Sequence, residues 1–169
     1  NVAAVQFGQP RLLEVVSRTL EKSRLDPRYL TLEITEGVLM QDAETAVGML
    51  RALKNMGVKI AVDDFGTGYS SLTYLKRFPI DVLKIDRSFV RDLVDDEDDA
   101  AIVRAIIALA KSLHLTTVAE GVETAEQAKL LSAQEVERFQ GYYFSRPLTG
   151  EKISEKLAKD RSETAVTGS

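Results

Sequence analysis

The stretch KIAVDDFGTGYSSL, from Lys59 to Leu72, constrains the fold more than any other part of the chain. An apolar, β-branched run ends in two adjacent carboxylates, Asp63 and Asp64, and then turns through Gly66 and Gly68 into a Ser-rich helix start. Strand, acidic tip, loop and helix in that order form the repeating unit of parallel α/β sheets and barrels. In those folds, chemistry is done on the loops leaving the carboxyl ends of the strands. Neighbouring side chains on a strand point to opposite faces. For Asp63 and Asp64 to serve one site the backbone must bend just there, and the glycines permit it. An Asp-Asp pair with a loop glycine is also a common solubilising device, so the pair gains meaning only from the rest of the chain.

The same unit recurs along the sequence. Leu12, Leu13, Val15, Val16 and Leu20 keep helical spacing from Pro10 to Arg24. Tyr29 to Thr35 alternates in polarity as a strand with Glu33 and Glu36 at its tip. Asp42 caps a helix that runs through Asn55 and stops at Gly57. A short helix from Ser70 to Arg77, stopped by Pro79, precedes a strand from Asp81 to Ile85. The acidic run Asp92 to Asp99 suits a solvated loop or a helix N-terminus, where negative charge is favourable. A helix over residues 100–113, a strand from Leu115 to Ala119, a helix from Ala125 to Ser132 and a strand from Arg138 to Phe144 complete the alternation before a final helix. Such alternation predicts a parallel sheet wound by helices. About five strands are visible besides an apolar remnant, NVAAV, at the start. A closed barrel of eight units takes ~250 residues. The expected fold is therefore α/β, a (β/α)8 TIM-like barrel lacking its beginning, with one domain over 1–158 and a disordered tail over 159–169.

Composition narrows the function classes. With 44% hydrophobic residues in 169, the chain can bury one good core. A net charge of −4 gives no basic footprint for DNA, RNA or an anionic membrane, although a small polyanion could bind through a metal. The absence of cysteine removes disulfides, thiolate metal sites and a Cys nucleophile. The single histidine, His114, lies where a helix runs into a strand, which suits packing or capping better than catalysis. No apolar run reaches the length of a membrane span and no signal peptide is visible. A cytoplasmic setting is expected, with any membrane anchor or regulatory domain carried elsewhere in the parent protein.

Acids recur at the carboxyl ends of successive strands: Glu33 and Glu36, Asp63 and Asp64, Glu120 and Glu123, with Lys84 inside the intervening strand. Carboxylates that converge in one cleft raise each other's pKa and call for a cation. Oxygen ligands without sulfur or clustered histidine favour a hard ion, Mg²⁺ or Mn²⁺. Two such ions would clamp a phosphoryl group and generate the attacking hydroxide.

Five motifs in one order carry a resemblance: LEITE at Leu32 to Glu36, DDFGTGYSSL from Asp63, LKID at Leu83 to Asp86, VAEGVE at Val118 to Glu123, and QGYYFSRP at Gln140 to Pro147. Together they are similar to the EAL domain, a family of metal-dependent phosphodiesterases that linearise the bacterial second messenger cyclic di-GMP. The resemblance implies metal ligation by Asn1, Glu33, Asp63, Asp64 and Glu120, with Asp63 shared by two ions. It implies that Lys84 orients water and offsets phosphate charge, and that Glu120 binds metal or acts as general base, so that Glu120, Lys84 and Asp63 carry catalysis. Glu36 resembles the glutamate that steadies the mobile loop after Asp64, and Glu123 and Gln140 complete the site. Gln140, Phe144 and Pro147 would meet substrate, the last two near a guanine base. Each residue also has a plainer reading: Lys84 could pair with Asp81 or Asp86, and Glu36 could cap a helix.

Three departures stand against the family pattern. The naming Glu-Ala-Leu strand, whose glutamate is a metal ligand and which is followed by a phosphate-binding arginine, has no counterpart, since the sequence starts at the position of the second-strand Asn. Ala3 replaces a phosphate-contacting Ser, and Glu135 stands where a Gly precedes the last strand, which implies an altered loop. Upstream residues in the parent protein are expected to supply the first strand. The resemblance leaves two functions from different classes: hydrolysis of cyclic di-GMP to linear pGpG, or binding of the nucleotide or a protein partner without turnover. It also makes a homodimer plausible.

Overall fold

The computed structural model describes residues 1–68 and 72–166, with side chains described as far as 158. Five parallel strands run in sequence order: β1 (Thr31–Thr35), β2 (Lys59–Phe65), β3 (Val82–Ile85), β4 (Thr116–Glu120) and β5 (Arg138–Gln140). Among the described residues eight α-helices are interleaved with them: α1 (Pro10–Ser23), α2 (Glu36–Gln41), α3 (Ala43–Asn55), α4 (Leu72–Leu75), α5 (Arg87–Arg91), α6 (Glu97–Ser112), α7 (Ala125–Ala133) and α8 (Gly150–Val166). Parallel neighbours in strict sequence order are what successive β/α units produce. The architecture is that of an incomplete TIM-like barrel.

Local chemistry accounts for the helix boundaries. Pro10 opens α1 at a position whose N–H would have no partner anyway. Asp42 caps α3 by accepting the Thr45 N–H at 3.1 Å. Asp96 caps α6 through the N–H groups of Asp98 and Asp99, so the acidic run lies at the positive end of a helix dipole. Thr124 and Gln127 form a reciprocal capping box at the start of α7.

Burial shows why the strands are short and apolar. Ile34, Ile60, Val62, Leu83, Ile85 and Ala119 are almost wholly hidden. Leu50 and Leu53 of α3 and Val103, Ile107 and Ala110 of α6 join them in one core. A strand covered on both faces needs an unbroken apolar run, as in IAV of β2. At the C-terminal ends this run gives way to acids, and there the interior becomes a site.

Several elements differ from the sequence expectation. NVAAV is not a strand; only the Val2 N–H, donating to the Glu33 carbonyl at 2.8 Å, marks where one would lie beside β1. β5 stops at Gln140, because Gly141 is pressed so tightly on Val122 that a Cβ there would lie 2.0 Å from the Val122 carbonyl oxygen. The short helices α2 and α5, which follow β1 and β3 directly, carry too few turns to show a helical period. Of the helix expected from Ser70 to Arg77, Leu72–Leu75 is helical, while residues 69–71 lie outside the described residues. The backbone of α8 stays helical to Val166, past the boundary at 158, in a sequence rich in the helix formers Glu, Lys and Ala.

Candidate functional site

Lys84 stands at the centre of the site. It lies on β3, the middle strand, and is only 4% exposed. Its ammonium group carries three donors, and three carboxylates surround it: Glu33 Oε2 at 3.0 Å, Asp63 Oδ1 at 2.9 Å and Glu120 Oε1 at 2.6 Å. They arrive from β1, β2 and β4, so residues 87 positions apart in sequence meet on one cation. Burial alone would lower the pKa of Lys84, but the bonds to Glu120, Asp63 and Glu33 outweigh it and hold the group above the usual lysine value. Neither carboxylate of the plainer reading pairs with Lys84: Asp81 is taken by Lys54 at 2.7 Å, and Asp86 accepts the Ser88 N–H at 2.8 Å.

Asp64 joins the cluster through an unusual backbone. Its φ is +54°, the left-handed region that a non-glycine residue seldom adopts, and the pairing of β2 with β3 shifts register between Val62 and Phe65. The sequence called for a bend here and offered the glycines for it. Gly66, with φ +97°, does turn, but the bend that brings the two carboxylates together is taken by Asp64 itself. Asp63, Asp64 and Glu120 each offer a carboxylate oxygen, all within 4.8 Å of one another. Burial first, then the charges of Asp63 and Asp86, raise the pKa of Asp64. Burial also raises that of Glu120, against the pull of Lys84.

Four carboxylates thus face one ammonium group, leaving a surplus of negative charge on hard oxygen donors. That donor set fits a divalent, oxygen-seeking cation, which would offset the remaining repulsion. Asn1 is exposed, and its neighbour's bond to the Glu33 carbonyl sets it beside β1. Glu36, 3% exposed, opens α2 and accepts the Gly66 N–H at 3.1 Å, so it lies beneath the loop that leaves β2.

A cavity of about 680 Å³ adjoins the cluster. Gln140, opposite Glu120 in the β4–β5 register, lines it together with Glu120, Glu123, Tyr142 and Pro147. Phe144 is not among the lining residues: it stacks on Phe139 at 6.0 Å and meets Tyr143 edge-on at 5.0 Å. A second cavity, about 910 Å³, is lined by Asp64, Asp86, Arg87, Glu120 and Glu123. Sequence reasoning had offered Asp86 only as a partner for Lys84 and had given Arg87 no role. Their signal was their place directly after Ile85, at the carboxyl end of a strand.

The chain is similar to known proteins over nearly its whole length. The EAL domain family matches residues 1–147. The bifunctional diguanylate cyclase/cyclic di-GMP phosphodiesterase MucR of Pseudomonas aeruginosa is 46% identical over 158 residues, which cover 94% of this chain and 23% of MucR. The cyclic di-GMP phosphodiesterase NbdA of the same organism is 44% identical over 98% of this chain and 21% of NbdA. The chain therefore spans less than a quarter of the length of these curated relatives. The solved structure of the PaMucR phosphodiesterase in complex with c-di-GMP superimposes with a TM-score of 0.88 at 47% identity, over 90% of this chain and 62% of that one. Klebsiella pneumoniae BlrP1, in a manganese/cy-diGMP complex, matches with a TM-score of 0.76 at 37% identity, over 82% of this chain and 36% of that one. From its strand order, its rim of carboxylates around Lys84 and this similarity, the chain belongs to the EAL domain family.

Proposed function

We propose that the protein hydrolyses one 3′-5′ phosphodiester bond of cyclic di-GMP to give linear pGpG, with two divalent cations, Mg²⁺ or Mn²⁺, held by the carboxylate rim. The observation that carries this reading is the convergence of Glu33, Asp63 and Glu120 on Lys84 from three separate strands. A structural ion pair would need one carboxylate, and the surplus has a use only if positive charge is to be added. Glu33, Asp63, Asp64 and Glu120 would hold the cations with Asn1, and Asp63 sits centrally enough to be shared. The ions would polarise the phosphoryl oxygens and lower the pKa of bound water.

The chain's own groups account for the rest. Lys84 keeps the carboxylates in place and stays protonated at any working pH, so it can offset the charge that develops on the phosphate. Glu120, half-hidden and with a raised pKa, is suited to accept a proton from water. Glu36 holds the loop that follows Asp64 through its bond to Gly66, and Glu123 and Gln140 shape the wall of the adjoining cavity. That cavity, with Tyr142 and Pro147 in its lining, has the apolar surface a guanine base would occupy.

Hydrolysis of cyclic di-GMP with Mn²⁺, comparing the native protein with Asp63→Asn, tests the proposal. Turnover is expected to fall ~10²-fold or more in the variant, the usual cost of losing an interaction made in the transition state. Normal turnover in Asp63→Asn would refute the shared-ligand role. Binding of cyclic di-GMP without hydrolysis by the native protein would favour the receptor reading instead.

A further inference from the structure

The two cavities share one wall. Arg87, Glu120, Gly121 and Glu123 line both, so the carboxylate rim and the apolar pocket beside Tyr142 form a continuous cleft. Three other cations border that cleft, and each has a partner. Arg91 pairs with Asp92 at 2.7 Å, Lys156 donates to the Phe144 carbonyl at 3.2 Å, and the Arg146 guanidinium lies 5.5 Å from the centre of the Tyr142 ring. Arg87 is exposed and makes no ion pair or side-chain hydrogen bond among the described residues, although Asp86, Glu120 and Glu123 stand in the same wall. An arginine left unpaired among carboxylates is one whose fork is free for an incoming anion.

The sequence opposite Arg87 makes room for it. Gly121 has a φ of +69°, and a Cβ there would lie 2.7 Å from the Arg87 Cβ and 3.4 Å from its Cα. Only glycine lets the β4 loop approach α5 this closely while the arginine stem lies between the rim and the apolar pocket.

We propose that Arg87 binds the phosphodiester of the cyclic dinucleotide that is not cut. This rests on the reading of the site as a cyclic di-GMP phosphodiesterase and adds to it a residue the motif assignments leave without a role. The substrate carries two phosphates. One must lie at the rim for hydrolysis, and a base extends into the apolar pocket. The ring between them would pass the shared wall, where Arg87 is, among the described residues, the lining cation with no ion pair or side-chain hydrogen bond. Its contact would be present alike in ground and transition states, so its loss should raise KM and leave kcat nearly untouched.

Steady-state hydrolysis of cyclic di-GMP with Mn²⁺ by the native protein, Arg87→Ala and Arg87→Lys tests this. The expected result is a KM raised about 10- to 100-fold in Arg87→Ala, the range for losing a hydrogen bond to a charged group. A kcat within about threefold of native, an unchanged melting temperature and partial recovery of KM in Arg87→Lys complete the expectation. An unchanged KM would overturn the role of Arg87 while leaving the phosphodiesterase reading intact. A fall in kcat that matches the fall in kcat/KM would place Arg87 on the scissile phosphate and overturn the proposal as stated. If the native protein neither bound nor hydrolysed cyclic di-GMP, the underlying reading would fail, and this one with it.

Discussion

The two ends of the sheet hold similar side chains in opposite states of balance. At the amino ends of the strands Asp81 and Glu137 are each matched. Asp81 accepts the Lys54 ammonium at 2.7 Å and the Ile60 N–H at 2.8 Å, tying α3 and β2 to the start of β3. Glu137 accepts the Thr117 N–H at 2.7 Å and the Thr117 hydroxyl, joining β4 to β5. At the carboxyl ends, Glu33, Asp63 and Glu120 share Lys84, and Asp64 adds a fourth charge on a strained backbone. Stability alone would not place unmatched carboxylates on a left-handed residue. The matched end reads as structure, the unmatched end as a place for added charge.

The largest expected effect comes from removing the buried cation at the unmatched end, Lys84. Lys84→Met would leave three partly buried carboxylates without a counter-charge. It is expected to lower stability by about 3 kcal/mol, at the lower end of the cost of breaking a buried pair because Glu33 remains partly solvated. Turnover should fall ~10²-fold or more. Urea unfolding with and without Mn²⁺ checks the account: the ion should recover more stability in Lys84→Met than in the native protein.

Asp81→Asn at the matched end should behave in the opposite way. Lys54 and Asp81 are each about a third exposed, so the loss is expected to be only ~1 kcal/mol. Turnover per folded molecule should stay native. A large drop in kcat for Asp81→Asn would erase the contrast between the two ends.

Acidity sharpens the same contrast. The raised pKa values of Glu120 and Asp64 favour folding at low pH, and that contribution is lost as pH rises through their folded-state values. Glu137 has the opposite sign. Burial would raise its pKa, but the Thr117 hydroxyl and backbone N–H hold it below the usual carboxylate value. Its contribution is present above the ordinary range and lost as pH falls. In EDTA the melting temperature should therefore fall as pH rises above the ordinary carboxylate range and through the folded-state values of Glu120 and Asp64, less so in Asp64→Asn, and Mn²⁺ should remove the fall. Metal-induced stabilisation that did not grow with pH would contradict the rim account.

Glu135→Gly probes a smaller effect at the matched end. Glu135 takes a φ of +65° and pairs with Lys111, so the turn before β5 keeps the left-handed form that glycine would adopt. Relief of that conformation, set against loss of an exposed ion pair, should add roughly 0.5 kcal/mol. A thermal melt with no gain would mean the ion pair already offsets the backbone cost.

Much of this was legible in the sequence. The strand-and-helix alternation located the five described strands, and the acids at their tips include those that gather around Lys84. What escaped was set by contacts distant in sequence. The length of β5 is decided by Val122 pressing on Gly141, and no local pattern records that. The bend at Asp63 and Asp64 was foreseen, but its bearer was not, because left-handed backbone is ordinarily assigned to the nearby glycines. Glu36 was placed at a strand tip, whereas it opens the 6-residue α2; its buried carboxylate meets the Gly66 N–H, on the loop that the resemblance had it steady. Phe144 belonged to a motif expected at substrate; it stacks on Phe139 and keeps an exposed face, and no sequence pattern records that stack.

Mn²⁺ titration followed by electron paramagnetic resonance, on the native protein, Asp63→Asn and Asp81→Asn, tests the central claim most directly. The account predicts that the native protein and Asp81→Asn take up the ion with equal affinity, while Asp63→Asn binds it at least tenfold more weakly. Equal Mn²⁺ binding by all three would contradict the claim that the carboxylates around Lys84 are the cation site.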